Sequence, residues 1–297
     1  MPPATKLDEM DISTGKKVRL HRLFYRFGPG RGKTLLLPLD HGVEHGPSDF
    51  FDNPDSVDPD YIFKLAVKGK YSGIVLHVGV AEKYFGPYVG RVPLVLKING
   101  KTNIPSDAEA FSALDASVED AVRLGADAVG YTLYVGSPSQ DLDFIQCAEV
   151  RRECERLGMP LIIWSYPRGE AIEKKGGRDS LYAVDYAARL SCEMGADVVK
   201  LNEPEVDNPK KSDEPKQYSG LDISLEEAVG KVVRSAGKTL VLFSGGSKIS
   251  DEDLLAKAEL CMNAGAAGLI FGRNMWQRLW DDALEITSKV QDLMKKA

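Results

Sequence analysis

The sequence predicts a single α/β domain folded as a closed (β/α)8 barrel of the TIM type, on three observations. Eight short apolar runs recur along the 297 residues, and helical patterns separate most of them. The runs are rich in Val, Ile and Leu without polar alternation, which is typical of parallel strands buried on both faces. An open doubly wound sheet would favour a GxGxxG turn after the first run, and the sequence has none there. The predicted strands span residues 34–39, 73–77, 94–98, 127–133, 161–165, 197–201, 239–243 and 267–271.

Start and end signals between the runs predict the helices. A Ser-x-x-Asp/Glu spacing, which suits a capping box at a helix start, begins at Ser106, Ser224 and Ser250. Gly-Ala pairs precede three strands, and glycine there supplies the left-handed residue that ends a helix. These glycines are Gly125, Gly195 and Gly265.

The single domain is predicted to cover residues 1–297, with two segments outside the barrel repeat. Residues 1–27 form an N-terminal extension, in which residues 13–24 are expected to make a helix that closes the barrel bottom. Residues 202–222, after the sixth strand, contain three prolines and many charges. They predict an exposed loop beside the active site, either a lid or a solvated insertion.

Composition excludes several classes of function. The net charge is −6, whereas sequence-independent nucleic-acid binding needs a basic face. No stretch approaches the roughly 18 apolar residues that cross a bilayer, and the first residues lack the pattern of a secretory signal. We expect no nucleic-acid or membrane partner and a cytoplasmic location. The four widely spaced cysteines match no zinc pattern and are expected to be free thiols.

The residues at the carboxyl ends of the strands are the first candidates for chemistry, because barrel active sites lie there. One aspartate, one histidine, two aromatic residues, two lysines and two glycine-rich turns stand at or near predicted strand ends. We expect them to lie together at one rim. They are Asp40, His41, Lys97, Trp164, Tyr166, Lys200, Ser244, Gly245, Gly246, Gly272 and Arg273.

The turns after the last two strands predict a phosphate site. Ser244-Gly245-Gly246 and Gly272-Arg273 each precede a helical segment. Glycines let an anion approach the backbone, and amides at helix starts point towards it. Arg273 can add charge-assisted hydrogen bonds, and Lys248 a positive charge. The alternative is two ordinary glycine turns.

Lys200 is a candidate nucleophile. It lies among apolar residues, and a lysine that loses hydration has a lowered pKa and is more often the reactive amine. Such an amine can attack a ketone and form an iminium. Lys97 has the same setting, and either lysine could instead be salt-bridged and only position a phosphate.

Asp40 and Tyr166 are candidates for the proton transfers that this chemistry requires. Trp164 would supply an apolar wall. Asp40 could instead be a turn residue bonded to the backbone.

His41 and His45 make only a weak case for a metal site, since no further histidine or cysteine ligand is evident. His77 is expected to be a rim or core residue. Local hydrogen bonding is the expected role of all three, and we expect neither a metal nor another cofactor.

Five motifs resemble those of the archaeal-type class I fructose-bisphosphate aldolases, the DhnA-type Schiff-base aldolases. The resemblance runs from about residue 15 to 290, in register with the predicted strands. The motifs are LLLPLDHGVEHGP at 35–47, IIWSYPRG at 162–169, GADVVKL at 195–201, FSGGSK at 243–248 and IFGRNMWQR at 270–278.

The resemblance implies a (β/α)8 barrel that cleaves fructose 1,6-bisphosphate reversibly to dihydroxyacetone phosphate and glyceraldehyde 3-phosphate. It implies Lys200 as the Schiff-base lysine, Tyr166 as the main acid/base and Asp40 as a proton carrier. It also implies a homo-oligomer. The substrate-binding residues expected are Trp164, His41, Ser244, Gly245, Gly246, Lys248, Gly272 and Arg273.

Other activities remain open. Related Schiff-base enzymes share these strand ends, among them 2-amino-3,7-dideoxy-D-threo-hept-6-ulosonate synthase and a thiolase of phosphorylated autoinducer products. A non-covalent phosphosugar isomerase or epimerase and a phosphosugar-binding protein are further alternatives. Residues 202–222 are longer and more charged than the resemblance leads us to expect in the shortest members, so they bear on the choice of sugar.

Overall fold

Eight parallel strands close into a barrel in the computed structural model, which describes residues 7–297. Each strand pairs with its neighbour in sequence, and the last pairs with the first, with Thr34 opposite Gly268. The predicted fold class is therefore confirmed. The strands are β1 (Thr34–Pro38), β2 (Gly73–His77), β3 (Leu94–Lys97), β4 (Ala128–Val135), β5 (Leu161–Pro167), β6 (Val198–Leu201), β7 (Leu240–Ser244) and β8 (Gly268–Ile270).

Thirteen α-helices accompany the strands in this part of the chain. Shorter helical turns and a two-stranded hairpin, Asn99–Gly100 with Ala113–Leu114, lie in the connections. The helices are α1 (Thr14–His21), α2 (His41–Glu44), α3 (Pro59–Lys68), α4 (Val78–Tyr84), α5 (Val118–Arg123), α6 (Gln140–Leu157), α7 (Glu170–Glu173), α8 (Leu181–Glu193), α9 (Lys216–Ser219), α10 (Leu225–Ser235), α11 (Asp251–Asn263), α12 (Arg273–Trp276) and α13 (Trp280–Lys296).

The strands carry continuous apolar runs because both of their faces are buried. Leu35 and Leu37 belong to the large cluster between the barrel and its helices. Leu36, between them, belongs to a second cluster with residues such as Val75 and Val95 of the neighbouring strands. Successive residues of a strand point to opposite faces, so both faces require apolar side chains.

Most of the predicted helix signals are confirmed. Ser224 forms a complete capping box with Glu227, and Ser250 caps the first turn of α11. The three helix-ending glycines all have positive φ. The prediction at Ser106 is wrong, because only a three-residue 3₁₀ turn follows it. The helix in that connection starts later, at a capping box made by Ser117 and Asp120.

The helix predicted within residues 13–24 is present as α1, capped by Ser13 and continued by a π-helical turn, Arg22–Arg26. Leu20, Leu23 and Phe24 pack in one cluster with the inward-facing strand residues, so this segment covers the lower end of the barrel. The first six residues of the predicted extension lie outside the described range.

Two basic residues fasten this segment to the barrel and its helices through ion pairs. Lys16 is fully buried, and its Nζ lies 2.9 Å from Asp197 Oδ2 and also contacts Glu155. Arg22 pairs with Asp127. Asp127 and Asp197 directly precede β4 and β6, so each carboxylate joins the N-terminal segment to the start of a strand.

We expect the replacement Lys16→Met to destabilise the fold by about 3 kcal/mol or more, because it leaves the buried Asp197 carboxylate without its cation. Urea unfolding followed by circular dichroism would measure the change. Lys289→Met is the matched control, since Lys289 pairs with Glu285 on an exposed face of α13 and should change stability little. Equal midpoints for the two variants would contradict this prediction.

The segment 202–222 is less irregular than predicted. It contains a 3₁₀ turn, Lys211–Asp213, and the short helix α9. Asn208 is buried and donates to the carbonyl of Gly176 at 2.6 Å, while the Tyr218 hydroxyl donates to Asp185 at 2.7 Å. These bonds fix it against the connection between β5 and α8 and against α8 itself.

Two expectations from composition can be compared with the structure. The four cysteines are all unbridged, and three of them are buried. Among residues 7–297, no helix has the length and apolar character needed to cross a membrane.

Candidate active site

A cleft of about 580 Å³ opens at the carboxyl ends of the strands. This volume suits a small-molecule ligand. Nine of the eleven predicted site residues line it, so the structure brings most of them together as expected. The nine are Asp40, His41, Tyr166, Lys200, Ser244, Gly245, Gly246, Gly272 and Arg273.

Lys200, at the end of β6, is buried at the floor of this cleft. Its Nζ makes no hydrogen bond or ion pair within 4.0 Å to any residue of the described chain, and it lies 5.5 Å and 5.2 Å from the ring centres of Trp164 and Tyr166. Burial lowers the pKa of Lys200 below its ordinary value, against the opposing pull of Asp40 and Glu44. An unpaired lysine with a lowered pKa is suited to nucleophilic attack.

Lys97 differs from Lys200 in its partners. It is fully buried, and its Nζ donates to Glu44 Oε1 at 2.9 Å and lies 3.7 Å from Asp40 Oδ2. Burial alone would lower the pKa of Lys97, but the charges of Glu44 and Asp40 outweigh it and raise the pKa. Lys97 is therefore held as an ammonium ion, which is not nucleophilic.

Trp164 lies beneath the cleft and does not line it. The indole ring is fully buried, and both lysine Nζ atoms lie within 5.5 Å of its centre. It thus forms an apolar floor below Lys200, and its predicted place among the substrate-binding residues is corrected, because the ring is covered and does not reach the cleft.

Tyr166 stands two residues further along β5 and does line the cleft. Burial raises the pKa of Tyr166, and the negative charges of Glu44 and Asp40 raise it further. Its phenol therefore keeps its proton at neutral pH and can donate it to a developing negative charge.

Asp40 is 3% exposed, and its Oδ2 has no hydrogen-bond partner among the described residues. It is thus not the backbone-bonded turn residue considered as an alternative. Burial alone would raise the pKa of Asp40, but the charge of Lys97 outweighs it and the pKa lies below its usual range. Burial also lowers the pKa of the neighbouring His41 to about 4, so this imidazole is neutral at pH 7.

The turns after β7 and β8 face each other across one side of the cleft. Gly246 has φ +69°, and the amides of Gly246, Gly272 and Arg273 donate to no acceptor in the described part of the chain. The Arg273 Nε is buried and likewise unpaired there, with the Asp49 carboxylate 3.9 Å away. Free amides next to a guanidinium nitrogen that has no hydrogen-bond partner are suited to binding a phosphate.

Ser244 and Lys248 are placed differently from the other predicted phosphate residues. The Ser244 hydroxyl donates to Asn202 Oδ1 at 2.8 Å and must turn to meet a ligand. Lys248 does not line the cleft, because its Nζ donates to the carbonyl of Gln277 at 3.2 Å and lies 3.9 Å from Asp52. Its grouping with the phosphate residues is therefore corrected.

We expect Gly272→Ala to weaken binding of inorganic phosphate, measured by calorimetry, by about tenfold or more. A Cβ at this position would lie 2.6 Å from His41 Cε1 and 2.9 Å from Pro38 Cγ, so the turn and its amides must shift. Gly79→Ala is the control, since a Cβ there meets nothing within 4 Å. Unchanged phosphate affinity in Gly272→Ala would remove this turn from the binding site.

Several cleft residues were not predicted. Glu44 and Tyr134 both line the cleft, and Tyr134 lies opposite Tyr166 where β4 pairs with β5. The register of β4 could have indicated Tyr134, because its strand runs two residues beyond the predicted end. Glu44 gave no comparable signal, since only the short helix α2 turns its carboxylate inward.

A cationic group on the other side of the cleft was also missed. Lys101 and Arg168 contact Asp107 at 2.9 Å and 3.0 Å, and Arg178 lies 3.8 Å from the same carboxylate. All four residues line the cleft. Arg178 also lies 3.6 Å from Asp179, which lines the cleft too, so three cations and two carboxylates leave a net charge of about +1 opposite the glycine-rich turns.

Of the three histidines, only His45 makes the expected local hydrogen bond, from Nδ1 to Asp49 Oδ2 at 2.6 Å. His77 Nδ1 lies 2.6 Å from Asp115 Oδ2 and His41 Nδ1 lies 3.5 Å from Asp40 Oδ1, but neither nitrogen has a hydrogen-bond partner among the described residues. In the described range 7–297, no group of three or more His, Cys, Asp or Glu side chains is arranged to hold a metal ion.

Comparisons with known proteins agree with one another. Residues 34–278 match the DeoC/LacD family of aldolases. The chain is 42% identical over 272 residues to fructose-bisphosphate aldolase class 1 of Thermoproteus tenax, which covers 91% of this chain and 93% of the relative. It is 38% identical over 251 residues to the enzyme of the same name from Halobacterium salinarum, with 83% and 85% covered.

A solved structure is also similar. It is an archaeal fructose-1,6-bisphosphate aldolase with the catalytic Lys covalently bound to the carbinolamine intermediate of its substrate. The two chains share 40% identity and a TM-score of 0.78, with 94% of this chain and 98% of the other covered.

Proposed function

The chain belongs to the DeoC/LacD family of aldolases, and on this premise we propose that it is a class I fructose-bisphosphate aldolase, a lyase that forms a Schiff base on Lys200. The observation that carries the proposal is the contrast between the two buried lysines. Lys97 is paired with carboxylates, whereas Lys200 lies unpaired in the cleft with a lowered pKa.

In the proposed reaction, the Lys200 amine attacks the C2 carbonyl of fructose 1,6-bisphosphate. The carbinolamine loses water and becomes an iminium. A base removes the C4 hydroxyl proton, the C3–C4 bond breaks, and its electron pair moves into the iminium to give an enamine. Glyceraldehyde 3-phosphate leaves, the enamine takes a proton at C3, and water releases dihydroxyacetone phosphate.

Tyr166 and Asp40 would move the protons of these steps. Tyr166 holds a proton at neutral pH and can donate it when the carbinolamine loses water. Asp40 is ionised and can accept one. Their opposite protonation states support one acid and one base in the same cleft.

The two ends of the cleft support a bisphosphate substrate. One end carries the free amides of the β7 and β8 turns with Arg273. The other carries the cationic group of Lys101, Arg168 and Arg178. A substrate with a phosphate at each end would meet positive charge at both.

The testing experiment compares aldol cleavage of fructose 1,6-bisphosphate and fructose 1-phosphate by wild type and Lys101→Met. We expect wild type to prefer the bisphosphate, and Lys101→Met to raise KM for the bisphosphate alone. Cleavage of another phosphorylated sugar instead would favour a related Schiff-base enzyme. Isomerisation, or binding without turnover, would favour the non-covalent alternatives.

We also propose a cytoplasmic homo-oligomer that serves glycolysis and gluconeogenesis, because a reversible aldol reaction suits both directions. Light scattering coupled to gel filtration would test the assembly. A monomer at micromolar concentration would contradict it.

A further inference from the structure

Lys97 has no part in the proposed covalent chemistry, yet its placement is specific. It ends β3 beneath the cleft, with its Nζ between the carboxylates of Glu44 and Asp40 and 5.2 Å from the ring centre of Trp164. It does not line the cleft. A substrate in the cleft would therefore meet Asp40 and Lys200 and not Lys97.

The charges beneath the cleft balance only when Lys97 is counted. Asp40 and Glu44 are two carboxylates with restricted access to water, and like charges in such a place drive one of them to take a proton. Asp40 Oδ2 has no hydrogen-bond donor within residues 7–297, so nearby positive charge is what keeps it ionised. Lys97 supplies this charge at 3.7 Å.

We propose that Lys97 is a positioning residue that keeps Asp40 ionised as a base and, by charge repulsion beside the Trp164 ring that both lysines contact, helps to keep Lys200 a neutral amine. Glu44 is the second counter-ion of Lys97 and holds its ammonium in place at 2.9 Å. This inference rests on the proposed aldolase function, because it assigns Lys97 an effect on the two groups that would react.

The sign of the expected pH effect follows from these charges. Asp40 must lose a proton to act as a base, and Lys200 must lose one to act as a nucleophile. Removing the Lys97 charge raises the pKa of both groups, so activity would require a higher pH. The other titratable or charged groups that face Asp40 and Lys200 are His41, Glu44, His77, Tyr166, Arg168 and Arg273.

The test measures kcat/KM for fructose 1,6-bisphosphate against pH in wild type, Lys97→Met and Glu44→Gln. In Lys97→Met, the acidic limb should move upward by about one pH unit or more. In Glu44→Gln it should move the opposite way, because that substitution removes a negative charge beside both groups. A purely structural role would lower activity by the same factor at every pH and leave both limbs in place.

A double variant keeps the test open if Lys97→Met does not fold. Lys97→Met/Glu44→Gln removes both charges of the ion pair, so no unpaired Glu44 carboxylate is left buried. Its acidic limb should still lie above that of Glu44→Gln. If the acidic limbs of the double variant and of Glu44→Gln coincide while the wild-type enzyme cleaves the substrate, the role of Lys97 is overturned and the proposed function still stands. Absence of cleavage in wild type would overturn the proposed function and this inference with it.

Discussion

Replacement of Lys200 by methionine should reduce aldol cleavage by about 10³-fold or more, because it removes the only amine in the proposed covalent route. Methionine has nearly the same length and fills the space over the Trp164 and Tyr166 rings, so we expect the variant to fold. Phosphate binding at the β7 and β8 turns should persist. The measurement is kcat for fructose 1,6-bisphosphate, together with phosphate affinity.

Borohydride trapping with dihydroxyacetone phosphate, followed by peptide mass mapping, would locate the adduct. It should appear on the Lys200 peptide of wild type and be absent from Lys200→Met. Lys33 is the control, because burial lowers its pKa as well but its Nζ donates to Ala266 at the amino end of the strands. An adduct on Lys97 or Lys33, or on no lysine, would contradict the assignment.

Tyr166→Phe should lower kcat by about 10²- to 10⁴-fold with a small change in KM, the range expected when a general acid or base is lost. Phenylalanine keeps the ring that Lys200 and Arg168 contact at 5.2 Å, so the substitution removes only the hydroxyl. Because the Lys200 amine is retained, the trapped adduct should still form, though more slowly.

The matched control for this variant is Tyr186→Phe, since Tyr186 is half-exposed on α8 and does not line the cleft. Its kcat should equal that of wild type. A Tyr166→Phe enzyme with kcat within about threefold of wild type would move the proton transfer to another group, and Tyr134 on the adjacent strand would be the next to test.

The barrel and its rim could be predicted from the sequence because the information is local. A strand buried on both faces requires an unbroken apolar run, and eight such runs with helices between them leave few alternatives to a closed barrel. Once the strand ends are known, Asp40, Tyr166, Lys200 and Gly272 fall at one rim by construction. Nine of eleven predicted site residues do line the cleft.

Prediction from local sequence patterns was less accurate in the short helical connections between strands. The spacing at Ser106 suggests a helix, but the following residues fold as a single 3₁₀ turn, and the sequence offers an equally good cap at Ser117. Lys248 lies two residues beyond Gly246 of the glycine turn, yet its side chain bonds to the carbonyl of Gln277 outside the cleft. A local pattern gives the position of a residue and not the direction of a long flexible side chain.

By itself, the sequence determined the strands, the fold class and most of the residues at the strand ends that line the cleft, because each depends on neighbours along the chain. It did not distinguish Lys97 from Lys200 on physical grounds, since both lie between apolar residues at the end of a strand. The tertiary structure separated them. Glu44, 53 positions away, reaches Lys97 and fixes it as a cation, while Lys200 is left unpaired. Protonation is governed by burial and by charges within a few ångströms, and only folding decides which charges meet.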